Sequence, residues 1–576
     1  MAQFLGMLYS KDAHRLREVC AEGYAEVGEH VLCGGAAVCE GDAAALSAGW
    51  MRNERVLRTE LGLAEDAPPS LLVLRAYRRW GEEYIEHIEG PVICAVLDGR
   101  KGRLLLSSDR MGEAGGVFYR VQGKSVIFAG HPEQLLRADG ARARVDEDGW
   151  REIFGLGPAR TPGRTPFADI CQLPAGHMLL ADRDGVRIRC FFSLQARPHE
   201  HTAGQTIEKV RELTEQAVQS AARFEPAAML SGGLDSTVLT ALLCRNVRRP
   251  VHTFSVDYEE NGRYFRQNSY QAEPDAPYVE RAVRELGCVH TRVVIGAGQL
   301  ADSLEDAMAA RGWPGMADID ASLLIFSRRM AGSASFAVSG ECADEVFGGY
   351  PWFHREALRD GDCFPWSGSL KLRERILGRE RAKRLHLEEY VRDCWQSALN
   401  RQPALPGEAG VQARLRQLQG VCFEYFMTNL QERACAMGQA AGLTVLTPFC
   451  DERLVEYVYN VPWEIKNMGG REKGLLREAM RGVLSDELLL RKKSPYPKTH
   501  HPDYSTRVRE MMEEVLNDPA SPVLGMIDRE EVRRLTRETL APSHTPWFGQ
   551  LMTGVQMLAY LIQINQWMRQ WGIEGL

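Results

Sequence analysis

The run Ser231-Gly232-Gly233-Leu234-Asp235-Ser236 follows the apolar stretch Ala227-Ala228-Met229-Leu230 and opens the helical pattern Thr237 to Cys244. A buried strand that delivers two glycines to a tight turn at a helix start makes a phosphate cradle. Backbone N–H groups can then approach a polyanion, and the helix N-terminus adds its positive end. The turn does not end in the Gly-Lys-Ser/Thr of a kinase-type loop; instead it places the acid Asp235 where it can hold magnesium beside a pyrophosphate. The bland alternative is a Ser-capped helix after a glycine turn.

A second constellation runs from Phe336 to Tyr350. A short apolar strand passes through Ser339-Gly340 into the acids Glu341, Asp344 and Glu345, and then into Gly348-Gly349. Both strand ends would carry acids. Ligands of open parallel sheets sit at the carboxyl ends of strands, so Asp235 and Asp344 are predicted to meet over one triphosphate and to share magnesium. Taken alone, the acidic trio reads equally well as a solvated helix start.

These motifs, their spacing and the later run Arg471-Glu472-Lys473-Gly474-Leu475-Leu476-Arg477 resemble the synthetase half of the asparagine synthetase superfamily, which includes β-lactam synthetases and lasso-peptide macrolactam cyclases. Residues 339–353, 448–467 and 491–500 are similar to the lasso cyclases and to a group of asparagine-synthetase-like proteins. The resemblance implies an α/β protein. An amidotransferase-like αββα domain of the Ntn type over residues 1–197 would precede a PP-loop, parallel-sheet synthetase domain over 205–576. It also implies ATP and Mg2+, with nucleotide contacts at Met229, Ser231, Gly232, Gly233, Asp235, Ser236, Val256, Ser339 and Gly340, and metal at Asp235 and Asp344. Glu341 takes the proton-handling or amine-orienting role by this carry-over, and Lys473 stabilises transition-state charge. Without the resemblance Lys473 would read as an ordinary surface lysine on a helix.

Glutamine-hydrolysing members use a cysteine that becomes the first residue after Met removal, its α-amine serving as base. This sequence starts Met1-Ala2-Gln3, and Cys20, Cys33 and Cys39 have chain on both sides. Glutamine hydrolysis is therefore expected to be absent, although 50–62, 71–90 and 104–110 resemble the amidotransferase-like domain. Related enzymes also usually show Lys-Asp-Arg-Met and Arg-Val-Pro-Phe where this chain has Ala434-Cys435-Ala436-Met437 and Leu446-Thr447-Pro448-Phe449. An acid and two arginines are lost from a stretch expected near the active-site wall, which predicts a less polar pocket, altered domain contacts or impaired activity. Free aspartate, which needs fixed charges at both its α-groups, becomes a poorer fit.

Composition frames these expectations. The 576 residues are 44% apolar, enough for two large cores, with the break expected in the polar segment 195–206. A net charge of −7 with interspersed signs points to no nucleic-acid or anionic-membrane surface, and the arginines of 373–384 read as solvated helix faces. Fourteen cysteines without a Cys-x-x-Cys pair, and no amino-terminal signal segment, suggest a cytoplasmic protein whose thiols mostly lie in the core. The apolar stretch 547–571 is broken by Gln550, Gln556, Gln563, Asn565, Gln566 and Arg569, so a packed helix, or one that docks a partner, is expected there and no membrane span. The basic run Arg491-Lys492-Lys493 before Ser494-Pro495-Tyr496-Pro497-Lys498 is either a lid over phosphate or a structural loop, and His500 and His501 read as polar loop residues.

The resemblance points to a lasso cyclase that adenylates an Asp or Glu side chain of a precursor peptide and closes a macrolactam on its amino terminus. A leader peptidase and a leader-recognition protein would be its partners. A β-lactam synthetase-like or ammonia-using small-molecule amide synthetase is the alternative enzyme. A nucleotide-binding scaffold that has lost catalysis is the alternative outside enzymes.

Overall fold

A computed structural model of the chain describes residues 4–8, 24–27, 30–34, 36–139, 142–265, 267, 273–367, 370–538 and 546–576. The chain forms two compact units, residues 1–146 with 161–194, and residues 147–160 with 195–576. Ala2 and Cys20, on which the expectation about an amino-terminal thiol turns, lie outside the described residues.

In the first unit two six-stranded antiparallel sheets pack together. Side chains of a strand alternate between faces, and that period sorts the core into two layers. Leu104, Leu106, Leu179 and Ala181 meet Leu32 and Phe128 of the other sheet. The intervening Leu105, Met178 and Leu180 turn instead to Leu72, Val73 and Ala76 of helix Pro69–Trp80. Helix Pro132–Asp139 lies against the opposite sheet, completing an αββα arrangement. Both faces of the sheets are covered, and strand Val92–Asp98 is accordingly buried along its whole length.

The second unit is built on a five-stranded parallel sheet. Its strands are β1 (Ala227–Met229), β2 (His252–Tyr258), β3 (Val289–Ile295), β4 (Phe336–Val338) and β5 (Thr444–Leu446), in the order β3-β2-β1-β4-β5. The order reverses between β1 and β4, and the crevice for ligands opens at such a reversal. Helix α1 (Leu234–Asn246) leaves β1 and is buried nearly all round, as its apolar sequence requires. Helix α2 (Ala343–Phe347) follows β4, and α3 (Thr428–Ala441) precedes β5. The short helix α4 (Gly474–Ala479) and the carboxy-terminal α5 (Gly554–Trp571) complete the elements that matter here.

The polar residues of α5 serve the fold. Gln563 donates to the Leu304 carbonyl at 2.9 Å and accepts from the Gly315 amide at 3.2 Å, and the Trp567 indole donates to the Gly312 carbonyl at 3.0 Å. No helix among the described residues is long and apolar enough to cross a membrane. Residues 147–160 belong to this same core: Trp150 packs edge-on against Trp567, and the Tyr560 hydroxyl donates to the Ile153 carbonyl at 2.9 Å.

Two expectations are corrected here. Arg373 is buried, and its guanidinium donates to the carbonyls of Phe154, Gly155, Ser367 and Trp547, while Arg375, Arg379 and Arg384 keep the expected exposed positions. A charge can be so placed because several carbonyl dipoles replace its water. Among the described cysteines fewer than half lie in the core: Cys33, which is disulfide-bonded, and Cys94, Cys342, Cys422 and Cys450 are buried, Cys244, Cys288, Cys394 and Cys435 are half-buried, and Cys39, Cys171, Cys190 and Cys363 are exposed.

Candidate active site

The glycine turn after β1 is shaped by the residues around it. Gly232 has φ +72, a left-handed conformation, and a Cβ there would lie 2.9 Å from the Val279 nitrogen and 3.1 Å from Arg491 Nη1. Only glycine fits such a conformation and such an approach. The hydroxyls of Ser231 and Ser236 lie 3.0 Å apart across the turn, and Thr237 Oγ1 donates to the Gly233 carbonyl at 2.7 Å, so the loop is closed by its own side chains. Arg491 braces it from outside, paired with Asp275 and reaching the Ser231 carbonyl at 3.4 Å.

The two acids predicted to meet do so through lysines. Lys473 Nζ bonds Asp235 Oδ2 and lies 2.6 Å from Asp344 Oδ1, while Lys493 Nζ lies 2.5 Å from Asp344 Oδ2. Lys473 is only 3% exposed and adopts φ +57 as the residue before α4, a buried, left-handed bridge and not the ordinary surface lysine that its sequence neighbours alone suggest. Burial pulls its ammonium down, but the two carboxylates outweigh burial and hold it above the usual lysine range. Burial raises both acids as well. Asp344, with two lysines, ends at about 2, whereas Asp235, with one lysine and the repelling Asp344 beside it, stays above the usual range.

One cavity joins these groups to a largely apolar wall. Met229, Ser231, Asp235, Ser236, Val256, Ser339, Gly340, Glu341 and Asp344 all line it. Gly232, Gly233 and Lys473 do not; the glycines lie in the turn and Lys473 behind the acids. From the basic loop come Lys493 and Tyr496, and the carboxy-terminal segment adds Gly549, Gln550 and Leu551. The loop after Arg491 is thus part of the site wall, and His501 caps the helix that follows it.

Glu341 is paired with Arg433 of α3, which is buried beside Tyr496. Arg433 carries no local signal in the sequence, because its partner Glu341 lies 92 residues away. The altered positions Cys435, Ala436, Leu446 and Thr447 do not line the cavity, which corrects the expectation that they depolarise it; the wall is formed by Leu430 and Arg433. Thr447 donates to Gln431 Oε1 at 3.3 Å, and Gln431 bonds the Cys342 sulfur, so this stretch supports the acidic turn from behind.

Support for α2 was also invisible in the sequence. Gln419 Nε2 donates to the carbonyls of Glu345 and Val346 at 3.1 and 2.7 Å, and Gln419 Oε1 accepts from buried Lys466 at 2.6 Å. Because the carbonyls of α2 can only accept, the Gln419 amide must turn Nε2 to the helix and leave Oε1 to Lys466. Glu345 itself is pushed up to about 8 by burial and by neighbouring Asp344, and it accepts from the Tyr350 hydroxyl at 2.7 Å.

Magnesium fits the donor set. Asp235 Oδ1 is buried without a hydrogen-bond partner, which marks a place for a cation. Among the described residues no group of three His, Cys, Asp or Glu forms a protein cage, so phosphate oxygens would complete the shell, as this ion prefers.

Comparison with known proteins agrees with this architecture. The asparagine synthase family model matches residues 209–569, and the glutamine amidotransferase domain model matches 64–192. The chain is 39% identical over 536 residues to the glutamine-hydrolysing asparagine synthetase 3 of Bacillus subtilis, covering 91% of this chain and 87% of that protein. It is 25% identical over 324 residues to asparagine synthetase B of Escherichia coli, covering 53% of this chain and 52% of that protein. Among solved structures, glutamine phosphoribosylpyrophosphate amidotransferase from B. subtilis aligns with a TM-score of 0.26 and 9% identity, covering 51% of this chain and 91% of that one, and adds no weight. An αββα amidotransferase-like domain precedes a parallel-sheet synthetase domain, and the chain belongs to the asparagine synthase family, as an asparagine synthetase-like ATP-dependent amide ligase.

Proposed function

We propose that the enzyme forms an acyl-adenylate and transfers the acyl group to an amine carried by the same substrate, with an Asp or Glu side chain of a precursor peptide as the acid. The observation that carries this reading is the one cavity in which the phosphate turn, the acids Asp235 and Asp344 that Lys473 bridges from behind, and the Glu341–Arg433 pair share an apolar wall of Met316, Phe326, Phe426 and Leu551. Such a wall suits a flanking peptide surface better than free aspartate.

The carboxylate oxygen would attack the α-phosphorus of ATP, the bond to the bridging oxygen of the β-phosphate would break, and pyrophosphate would leave. Ser231 and Ser236 and the amides of their turn hold the phosphates, and Lys473 and Lys493 screen the growing charge. Asp235 and Asp344 would hold magnesium, which supplies Lewis-acid neutralisation of phosphate oxygens. The amine then attacks the acyl carbon, with Glu341 orienting it and accepting the proton it sheds, and the C–O bond to AMP breaks. Holding both reactants in one cavity itself supplies part of the acceleration.

Glutamine is not the nitrogen source in this reading, although the relatives above are named as glutamine-hydrolysing. Cys39, Cys94, Cys171 and Cys190 of the first unit sit inside the chain without a free amine, and burial pushes the Cys94 thiol up, away from reactive thiolate. A precursor peptide, a leader peptidase and a leader-recognition protein would accompany the enzyme. The test is ATP–pyrophosphate exchange with free aspartate, free glutamate and peptides bearing an internal Asp or Glu. Exchange driven by the peptides supports the proposal. Exchange with free aspartate alone removes the peptide, and ADP formation removes the adenylate.

A further inference from the structure

The Arg433 guanidinium has one carboxylate partner. Its Nη2 holds Glu341. Its Nε has no hydrogen-bond partner, and its Nη1 faces only the Met316 sulfur at 3.9 Å. The side chain is 4% exposed, yet the residue lines the cavity. A buried cationic donor without an acceptor is costly unless a ligand supplies one, and a carboxylate oxygen is a strong partner for such an N–H. Tyr496, whose ring lies 5.6 Å from the guanidinium carbon, accepts a hydrogen bond from the Ser322 hydroxyl at 3.0 Å and so limits the plane's freedom.

We infer that Arg433 binds the carboxylate that is to be activated, through its unpaired Nε–H. The assignment rests on the adenylating reading above and names the residue that selects its acid. The phosphates already have the serine turn and two lysines, whereas Arg433 stands among Met316, Phe326 and Leu430, where an acyl chain would lie. Glu341 on Nη2 then brings the amine-orienting group and the acyl carboxylate to one cation. Adenylation removes the carboxylate's charge and weakens its hold. When the amine adds, negative charge returns to the acyl oxygen and the same N–H is there to receive it.

Two probes test this, L-aspartate and N-acetyl-L-aspartate methylamide, in pyrophosphate exchange and in thermal-shift titrations with α,β-methylene-ATP and Mg2+. Arg433→Lys keeps the charge but loses the fixed Nε–H, so KM for the effective probe should rise about tenfold or more with KM for ATP unchanged. Glu341→Gln frees the guanidinium and should tighten the probe's apparent binding in the titration by roughly threefold. An unchanged probe KM in Arg433→Lys, or equal losses for ATP and probe, overturns the assignment. So does Glu341→Gln without any gain, an arm that remains if Arg433→Lys does not fold. Wild-type protein that shifts with a probe but exchanges with neither would refute the adenylating reading while leaving Arg433 to be judged on the shifts. If neither probe exchanges or shifts, both fall.

Discussion

Gly340 stands so close to Asp235 that a Cβ on the glycine would lie 3.0 Å from the Asp235 Cβ and 2.9 Å from the Ser236 nitrogen. The phosphate turn and the acidic turn therefore touch through a side chain that is missing. Gly340→Ala should push the turns apart, and because displacements of about 1 Å can cost roughly 10²-fold, exchange activity should fall by that order while the fold persists. Exchange kinetics beside a melting curve would check it, and near-normal activity would show that the turns need not touch.

Lys473 gives a sharper expectation now that it is known to be buried between two acids. Lys473→Met should slow amide formation by roughly 10²-fold or more. It should also cost about 3 kcal/mol of stability, since two buried carboxylates lose a partner. Adding Asp344→Asn to that variant should return part of the stability and none of the activity. A double-mutant cycle by denaturant unfolding and single-turnover assay reads both.

Asp235→Asn and Asp344→Asn should each weaken magnesium-dependent ATP cleavage, because each loses a charged oxygen. Their stabilities should differ. Asp344 balances two lysines and Asp235 one, so Asp344→Asn should melt lower. Magnesium titrations and melting curves on both variants suffice, and unaltered metal dependence in both would move the ion elsewhere.

Lys466 predicts a pH signature. Burial first, and then nearby Arg416, depress its ammonium from 10.5 to about 7, with Glu408 opposing. Between those values the unfolded chain holds a proton that the folded chain has released, so this group's contribution becomes more favourable as pH rises through the window. The slope approaches about 1.4 kcal/mol per pH unit. The stability of wild type minus that of Lys466→Met should therefore climb between pH 7 and 9, measured by urea unfolding. A flat difference would contradict the depressed ammonium.

Glutamine supplied to the purified protein with ATP should release no glutamate. Steady glutamate release, followed by a coupled dehydrogenase assay, would overturn the view that the first unit has no working nucleophile.

Much of the site was legible because glycines and acids at strand ends leave local marks: Ser231–Ser236 and Ser339–Asp344 could be placed on one sheet edge from their flanking residues alone. What was hidden depends on distant chain. Nothing near Arg433, Gln419 or Lys466 in sequence announces that they reach Glu341, the Glu345 carbonyl or one another, since each contact spans 47 to 92 residues. Arg373 was misplaced for the same reason: its acceptors at Phe154 and Gly155 lie 219 and 218 residues away.

Residues 147–160 make the order of the chain differ from the order of its cores. Trp150 and Ile153 fill space against Trp567 and Tyr560, and the carbonyls of Phe154 and Gly155 answer the buried Arg373. A ligase fragment beginning at residue 195 would lack all four. A cut between the two units in chain order therefore takes part of the second core away with the first.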